Sequence, residues 1–540
     1  MPDKTAPTAS RQTWLALILF LMLGLLALAL PDHPDAITPR AFLRLPLELP
    51  LIIFVLLLMP QRLAPAAAAV LTAAFLLTLI LKIADIATQA AFQRPFNPYL
   101  DAKMASDGWN VLSGSMGAVQ AGLAFGGALF LVAMVTAGLF WSLRSLALTP
   151  RPARRKLRVL FGLVATAGSV ILIAGFSFAD RVNARSVNYL STRLDLISRS
   201  IADIRAFEEE LVKETGPANG QGLFGAVAGR DVVLIFIESY GRSAVEDPRY
   251  AKTTLPRLHS IEQRLSETRL HAASGWLGAP TVGGLSWLAH GTFLSGLWIE
   301  NQARYDLLMR SKRPSLNRLF SAAGWESIAI MPAITMAWPE AAYYGYDRVF
   351  AAADLGYRGQ PFNWITMPDQ YTLSTFERVA RSPSRAAGKP VMAEIALISS
   401  HAPWTPVPQL VGWEDVGDGT IFNAQAVAGD PPAVVWSDPE RVRQHYIATI
   451  DYSLSAVGDY ITRFGGDALF IVVGDHQPAS IITGPNASRD VPIHIISRES
   501  ELIQRFQTNG FSGGLLPLRE TRARPMSDMH ALLIDLLAKQ

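Results

Sequence analysis

What most constrains this chain is where its apolar residues fall. Half of its 540 residues are hydrophobic and only 17% are charged, and the apolar excess sits before residue 180. Five apolar segments can be read there: Trp14 to Leu30, Pro46 to Met59, Leu63 to Leu81, Met116 to Trp141 and Leu157 to Phe178. A helix needs about 20 apolar residues to cross the hydrocarbon of a bilayer. Four segments approach that length, and the second, which carries Glu48, does so only if Leu43 and Leu45 are counted in. Ala27-Leu28-Ala29 resembles a signal-peptide cleavage site, but the spans that follow favour a retained first helix. The expectation is a five-helix transmembrane domain over residues 1–180.

Basic residues mark the cytoplasmic ends of spans. Lys4 and Arg11 precede the first segment, and Arg144, Arg151, Arg154, Arg155, Lys156 and Arg158 lie between the fourth and fifth. Five crossings from a cytoplasmic N-terminus place everything after Phe178 outside. The net charge is only +3 and the basic cluster is framed by apolar runs, so no nucleic-acid partner is expected. The chain has no cysteine, which excludes disulfides, a thiol nucleophile and a cysteine-ligated zinc site. Residues 181–229 read as a connection. Leu190, Leu194, Ile197, Ile201, Ile204 and Phe207 recur at helical spacing from Val187 to Leu211, predicting an amphipathic helix on the bilayer or on the outer domain. Gly216 to Gly222 reads as a linker.

The texture changes from residue 230 to 540. Val232 to Ile237, Ser327 to Met331, Met392 to Ile398, Ala468 to Val473 and Val491 to Ile496 are short, continuous apolar runs. Helical patterns fall between them, at Leu255 to Leu265, Ser315 to Ala323 and Pro439 to Phe464. Buried strands alternating with helices predict an α/β sheet covered on both faces, with ligands held beyond the carboxyl ends of the strands.

Three runs deliver polar residues to that edge. The first ends at Glu238-Ser239, the third at Ser399-Ser400-His401-Ala402-Pro403, and the fourth at Gly474-Asp475-His476. Any one of these suits a strand running out into solvent. Together, carboxylates and imidazole suit a divalent cation such as Zn²⁺ or Mn²⁺. Hydrolytic or transfer chemistry at a metal also needs a nucleophile or a water. The stretch Gly275 to Gly296 offers Thr281 after Pro280, where it can open a helix whose free N–H groups favour an anion, or simply cap that helix. Ser286 and Thr292 are further hydroxyls there, and His290 is an unplaced imidazole.

In their order along the chain, these residues resemble the sulfatase-like branch of the alkaline phosphatase superfamily. Within it they resemble the membrane-anchored lipid headgroup transferases: lipoteichoic acid synthases, phosphoglycerol transferases acting on periplasmic glucans, and lipid A phosphoethanolamine transferases. The stretch His445 to Ile461, "HYIATIDYSLSAVGDYI", is similar to the helix that precedes the family's last metal strand. The resemblance implies a transmembrane domain followed by an alkaline-phosphatase-like (sulfatase) domain, anchored in a bacterial inner membrane with the catalytic domain periplasmic. It implies one divalent metal ion, Mn or Zn with Mg as a further option, ligated by Glu238, Thr281, Asp475 and His476. Thr281 is the implied nucleophile, forming a phosphothreonine, and His401 the residue that contacts phosphate or assists proton transfer. The implied donor is a phospholipid in the bilayer, phosphoglycerol the implied headgroup, and a cell-envelope glycan or a lipid-linked molecule the acceptor. Phosphoethanolamine transfer, or hydrolysis with water as acceptor, is the alternative.

The sequence departs from particular branches. The absence of cysteine sets it apart from disulfide-bearing phosphoethanolamine transferases. Thr281 stands where sulfatases carry a residue convertible to formylglycine. Trp338-Pro339-Glu340 stands where lipoteichoic acid synthases carry Trp-x-Arg. Glu340 then reads either as a contact for a cationic headgroup such as ethanolamine or as a surface residue.

Overall fold

The computed structural model describes residues 11–101, 108–109, 113, 117–174, 182–213 and 222–538. Most of the linker read at Gly216 to Gly222 lies outside the described residues, as do Lys4, Met116 and the end of the fifth segment beyond Ala174. The chain divides into two compact units, Met1–Ala90 with Arg94–Ala202, and Ala91–Gln93 with Asp203–Gln540.

Among the described residues of the first unit, four helices are long and apolar enough to cross a membrane: α1 (Arg11–Ala29), the helical stretch Gln61–Phe92, α4 (Ala118–Ala147) and α5 (Arg151–Ala174). Within Gln61–Phe92 the α-helix proper is α3 (Ala64–Phe92). The second apolar segment forms α2 (Glu48–Leu58), of 11 residues. At 1.5 Å per residue that is roughly 16 Å, about half the hydrocarbon thickness. Leu45–Pro46, just before α2, pairs with Val182–Asn183 beyond α5. At the other end, Arg154 Nε donates to Leu57 O at 2.8 Å and its Nη2 donates to Met59 O. The short helix therefore runs antiparallel to α5 and is tied at both ends. All five helices contribute to one core, with Phe20, Ile53, Phe75, Leu143 and Leu157 buried in it. The amphipathic helix α6 (Ser186–Val212) is present, and the division between the units falls within it. Phe207, on its second half, is buried in a core of the second unit beneath the Arg304 guanidinium, which pairs with Asp203.

Among the described residues of the second unit, nine strands form one sheet. The elements needed below are β1 (Val232–Ile237), α7 (Pro248–Glu267), β2 (His271–Gly278), α8 (Ser286–Ser295), β3 (Glu326–Met331), β4 (Arg348–Ala351), β5 (Val391–Leu397), α9 (Pro439–Phe464), β6 (Leu469–Gly474), β7 (Asp490–Ser497) and two short edge strands, β8 (Ser512–Gly513) and β9 (Arg524–Pro525). The order is β8–β2–β7–β6–β1–β5–β3–β4, with β9 also pairing β2. From β6 to β4 the strands are parallel, whereas β7 is antiparallel to both β6 and β2. The run expected at Val491 to Ile496 is thus a strand of the opposite sense. β2 is rich in Ala, Gly and Ser and carries no apolar run, so its eight-residue pairing with β7, not its own propensity, makes it a strand.

β1 lies at the centre and is buried on both faces, which explains its unbroken apolar sequence. Val233, Ile235 and Ile237 join α7 and α9 in one core, while Val232, Leu234 and Phe236 join α8 in the other. Its register aligns Ile237 with Leu397 of β5 and with Gly474 of β6. Three strand ends therefore reach the same edge at the same level.

Candidate metal and nucleophile site

The shared edge gathers Glu238 from β1 with Asp475 and His476 from β6. Their ligand atoms all lie within 4.8 Å of one another, and all three residues are buried. Gly474 is needed for that approach: a Cβ there would run into the carbonyl oxygen of Tyr240. Backbone and hydroxyl donors fix the acids. Asp475 Oδ1 accepts from the Ser239 amide at 2.8 Å and the His476 amide at 2.6 Å. Glu238 Oε1 accepts from Ser239 Oγ at 2.9 Å.

His476 is oriented as a ligand. Its Nδ1 donates to Gln477 O at 2.8 Å, which leaves the Nε2 lone pair facing Glu238 Oε1 at 3.2 Å and Asp475 Oδ2 at 3.6 Å. An imidazole tied through one nitrogen with the other aimed at carboxylates is the arrangement of metal-binding histidines.

The electrostatics agree. Burial and the neighbouring Glu238 push the Asp475 carboxyl up to about 7. Burial opposes charge on His476, but the two carboxylates win and raise it to about 9. Burial also opposes ionisation of Glu238, and the charges of His476 and His401 overcome it, holding Glu238 below the usual carboxylate range. Two acids packed this closely in a dry site bind either protons or a cation. Two carboxylates and an imidazole fit a small divalent ion.

The hydroxyl on this cluster belongs to Ser286. Its Oγ donates to Glu238 Oε2 at 2.9 Å and lies 3.2 Å from His476 Nε2. Ser286 is the first residue of α8, where backbone N–H groups lack helical partners and favour an anion. Thr281 does not open a helix. Gly283 (φ +76°), Gly284 (φ +147°) and Leu285 (φ +64°) turn the chain first, and the helix begins at Ser286. Thr281 is buried near this turn, with its Oγ1 donating to Gly284 O at 2.8 Å. Among the described residues it makes no hydrogen bond to Glu238, Asp475 or His476. Thr292 lies inside α8, its Oγ1 donating to Leu288 O at 2.7 Å.

His401 lines a cavity of about 280 Å³ together with Glu238, Asp475 and Ser286. Its Nδ1 donates to Ala402 O at 2.6 Å and its ring stacks on Trp364 at 4.2 Å. Nε2 therefore carries the free lone pair. The loop bearing His401 is held from two sides. Buried Asp369 accepts from the Ile398 and Ser399 amides at 3.0 and 2.9 Å, and Ser400 Oγ donates to Glu238 O at 2.6 Å.

The same cavity has aromatic walls, Trp287, Trp338, Trp364 and Tyr344 among them. Trp338 is placed there as the sequence suggested, whereas Glu340, half-buried, is not part of the lining. The acid that lines it is Glu394 on β5, only 1% exposed. Glu394 accepts from His290 Nδ1 at 2.7 Å, from Asn317 Nδ2 at 3.2 Å and from the Tyr346 hydroxyl. This gives His290 its place, one helical turn after Ser286 and stacked on Phe236 at 3.8 Å. Glu394 escaped the reading of the sequence, although a lone acid inside the buried run "VMAEIAL" is a signal that it meets something polar.

Neither any protein-family model nor any curated protein matches the sequence. The solved structures to which the chain is similar include a member of the alkaline phosphatase superfamily. One is a protein of that superfamily from Vibrio parahaemolyticus, at 14% identity over 62% of this chain and 74% of that one, with a TM-score of 0.38. Others are the lipoteichoic acid synthase LtaP from Listeria monocytogenes (11% identity, 63% of this chain and 78% of that one, TM-score 0.39) and the phosphoglycerol transferase GacH from Streptococcus pyogenes in complex with sn-glycerol-1-phosphate (11% identity, 62% and 90%, TM-score 0.35).

Proposed function

We propose that this chain is a metal-dependent membrane phosphotransferase that moves a phospholipid headgroup, phosphoglycerol first among the candidates, onto a cell-envelope glycan through a phosphoserine at Ser286. The observation that carries this reading is the double contact of Ser286 Oγ with Glu238 Oε2 and His476 Nε2 at the start of α8. Ser286 here takes the role that the family resemblance gives to Thr281.

Glu238, Asp475 and His476 would hold one divalent ion, Zn or Mn with Mg as a further option. Such an ion lowers the pKa of a nearby hydroxyl and offsets negative charge on the phosphoryl oxygens. Ser286 Oγ attacks phosphorus, its proton held at Glu238 Oε2, and the bond to the diacylglycerol oxygen breaks. His401 Nε2, when protonated, gives its proton to the departing oxygen. The neutral imidazole then takes a proton from the acceptor hydroxyl as that oxygen attacks phosphorus, the bond to Ser286 Oγ breaks, and Oγ recovers the proton held at Glu238 Oε2. The amides at the start of α8 favour the negative charge that builds up in both steps.

Five crossings, which place this domain outside a bacterial inner membrane, draw support from α2. It is short, but its last turn is tied to the start of α5 through Arg154, and the residues just before it pair with Val182–Asn183, beyond the other end of α5. The basic run Arg151 to Arg158 occupies the end where α5 begins.

A second headgroup is favoured by one feature. Aromatic walls with a buried Glu394 suit an ammonium such as ethanolamine better than an uncharged glycerol.

The test uses full-length protein and donor lipid with an isotope-labelled headgroup. Mass spectrometry is expected to find the label on Ser286. Ser286→Ala is expected to lose both label and diacylglycerol release, and Thr281→Ala to keep both. Label on Thr281, surviving in Ser286→Ala, overturns the assignment of the nucleophile. Release of headgroup phosphate alone, with a glycan acceptor present, makes the enzyme a phosphodiesterase instead.

A further inference from the structure

The first unit contains a second polar site, separate from the chemistry above. A cavity of about 460 Å³ is bounded by the end of α1, the segment before α2, α3 and the start of α6. Its lining includes four cations, Arg44, Lys82, Arg185 and Arg193, against one carboxylate, Asp32.

The cations are not equally satisfied. Arg193 is paired, its Nη2 donating to buried Asp85 at 2.7 Å. Asp85 is itself saturated, accepting also from the Tyr189 hydroxyl at 2.6 Å and the Phe96 amide at 2.9 Å. Lys82 is 6% exposed, and its ammonium donates to a single neutral acceptor, Leu28 O, at 2.7 Å. Among the described residues it has no ion pair, and neither the Arg44 nor the Arg185 side chain has a hydrogen bond or ion pair. Asp32, Glu48 and Asp85 act on Lys82 without direct contact and the Tyr189 ring lies 5.7 Å from its ammonium, so two N–H donors stay unused beside two free guanidiniums and the surplus of charge is positive.

The surroundings indicate the source of the missing anion. Leu26 on α1 and Ile80 and Ile83 on α3 are exposed apolar side chains within about two turns of the cavity. Such surface suits acyl chains, and a lysine with two arginines suits phosphate oxygens. The site also lies at the end of α5 opposite Arg151 to Arg158, where spans reading outward usually carry few basic residues.

We infer that this cavity binds the phosphate of a membrane phospholipid, with Lys82, Arg44 and Arg185 as its ligands and the acyl chains along α1 and α3. The inference does not depend on the nucleophile or on turnover.

The test measures lipid retention by native mass spectrometry of the full chain in the Ser286→Ala background, so that no lipid is consumed. Phosphatidylglycerol, diacylglycerol, which lacks the phosphate, and inorganic phosphate are the three probes. Retention of phosphatidylglycerol but not diacylglycerol is expected. Lys82→Met is expected to lower retention at least tenfold and Lys82→Arg to restore most of it. Arg44→Gln with Arg185→Gln, both at less buried positions, is expected to lower it severalfold and keeps the test decisive if Lys82→Met fails to fold. Equal retention in wild type and the arginine double variant overturns the inference. So does displacement of all bound lipid by millimolar inorganic phosphate, which would make this a site for the free ion.

Discussion

The two polar sites are opposites in charge. In the second unit, Glu238 and Asp475 face one imidazole, and the imbalance is negative. In the first unit, Lys82, Arg44 and Arg185 face Asp32 and Glu48 once Asp85 has neutralised Arg193, and the imbalance is positive. A third buried cluster shows what balance looks like. Arg381, fully buried, gives its Nε to Asp231 at 2.8 Å, Nη1 to Glu377 at 3.2 Å and Phe464 O at 2.7 Å, and Nη2 to Gly465 O at 3.0 Å. Four of its five N–H donors have partners, and two carboxylates offset its single charge. Buried charge is costly unless compensated. Where the chain compensates its own charge the cluster holds the fold together, and where it does not, the sign of the surplus names the ligand.

The sharpest way to break this contrast is at Ser286. Ser286→Ala should lower the rate of diacylglycerol release by on the order of 10⁴-fold or more, as removal of a nucleophile does. Its thermal unfolding midpoint should stay near that of wild type. A comparable loss on Thr281→Ala with Ser286→Ala still active would move the nucleophile back to position 281.

Chelation comes next, and its effect should depend on pH with a definite sign. In the metal-free protein His476 is raised to about 9, so the stability it contributes is present below about 6.5 and is lost as pH rises through about 9. Asp475, raised to about 7, prefers its protonated form in the fold, and that contribution is lost as pH rises through about 7. A cation replaces those protons, so its stabilisation should grow over the same window. Differential scanning of chelated and Zn- or Mn-loaded protein should show a gap in unfolding midpoint that widens from pH 6 to pH 9. A gap that narrows would contradict the ligand set.

The balanced cluster should respond in stability and not in ligand binding. Asp231→Ala leaves the buried Arg381 guanidinium with Glu377 as its remaining carboxylate and removes the acceptor of the Val391 amide, and it should cost about 3 kcal/mol, read as a lower urea midpoint, with bound metal per chain unchanged. The smallest effect is expected in the aromatic cavity. Glu394→Gln should change the ratio of rates for ethanolamine and glycerol headgroups by about tenfold, because a cation near aromatic faces and a buried acid gains on the order of 1–2 kcal/mol. An unchanged ratio would remove Glu394 from headgroup choice.

Much of this molecule was legible in the sequence. Long apolar runs can form only buried or membrane helices, and four of the five became helices of spanning length. Five short apolar runs became strands, since a segment buried on both faces cannot hide its composition. Glu238 and the Asp475-His476 pair could be read because each follows its strand directly, and register alone carries them to a common edge. The length of α2 was not legible, because Leu45–Pro46 pair as a short strand and Leu43 caps the short helix Pro39–Phe42 instead of extending α2.

The choice between Thr281 and Ser286 belonged to the tertiary structure. Both are small hydroxyls in one Gly-rich stretch, and composition treats them alike. Two glycines at positive φ delay the helix by five residues and bring Ser286, not Thr281, onto the carboxylates. Glu394 meeting His290, and Lys82 meeting Arg44 and Arg185, are likewise contacts between distant segments. Sequence fixes what each residue offers chemically, and local pattern fixes which element carries it. Which charges are left unpaired is a property of three-dimensional neighbours, and only the fold decides it.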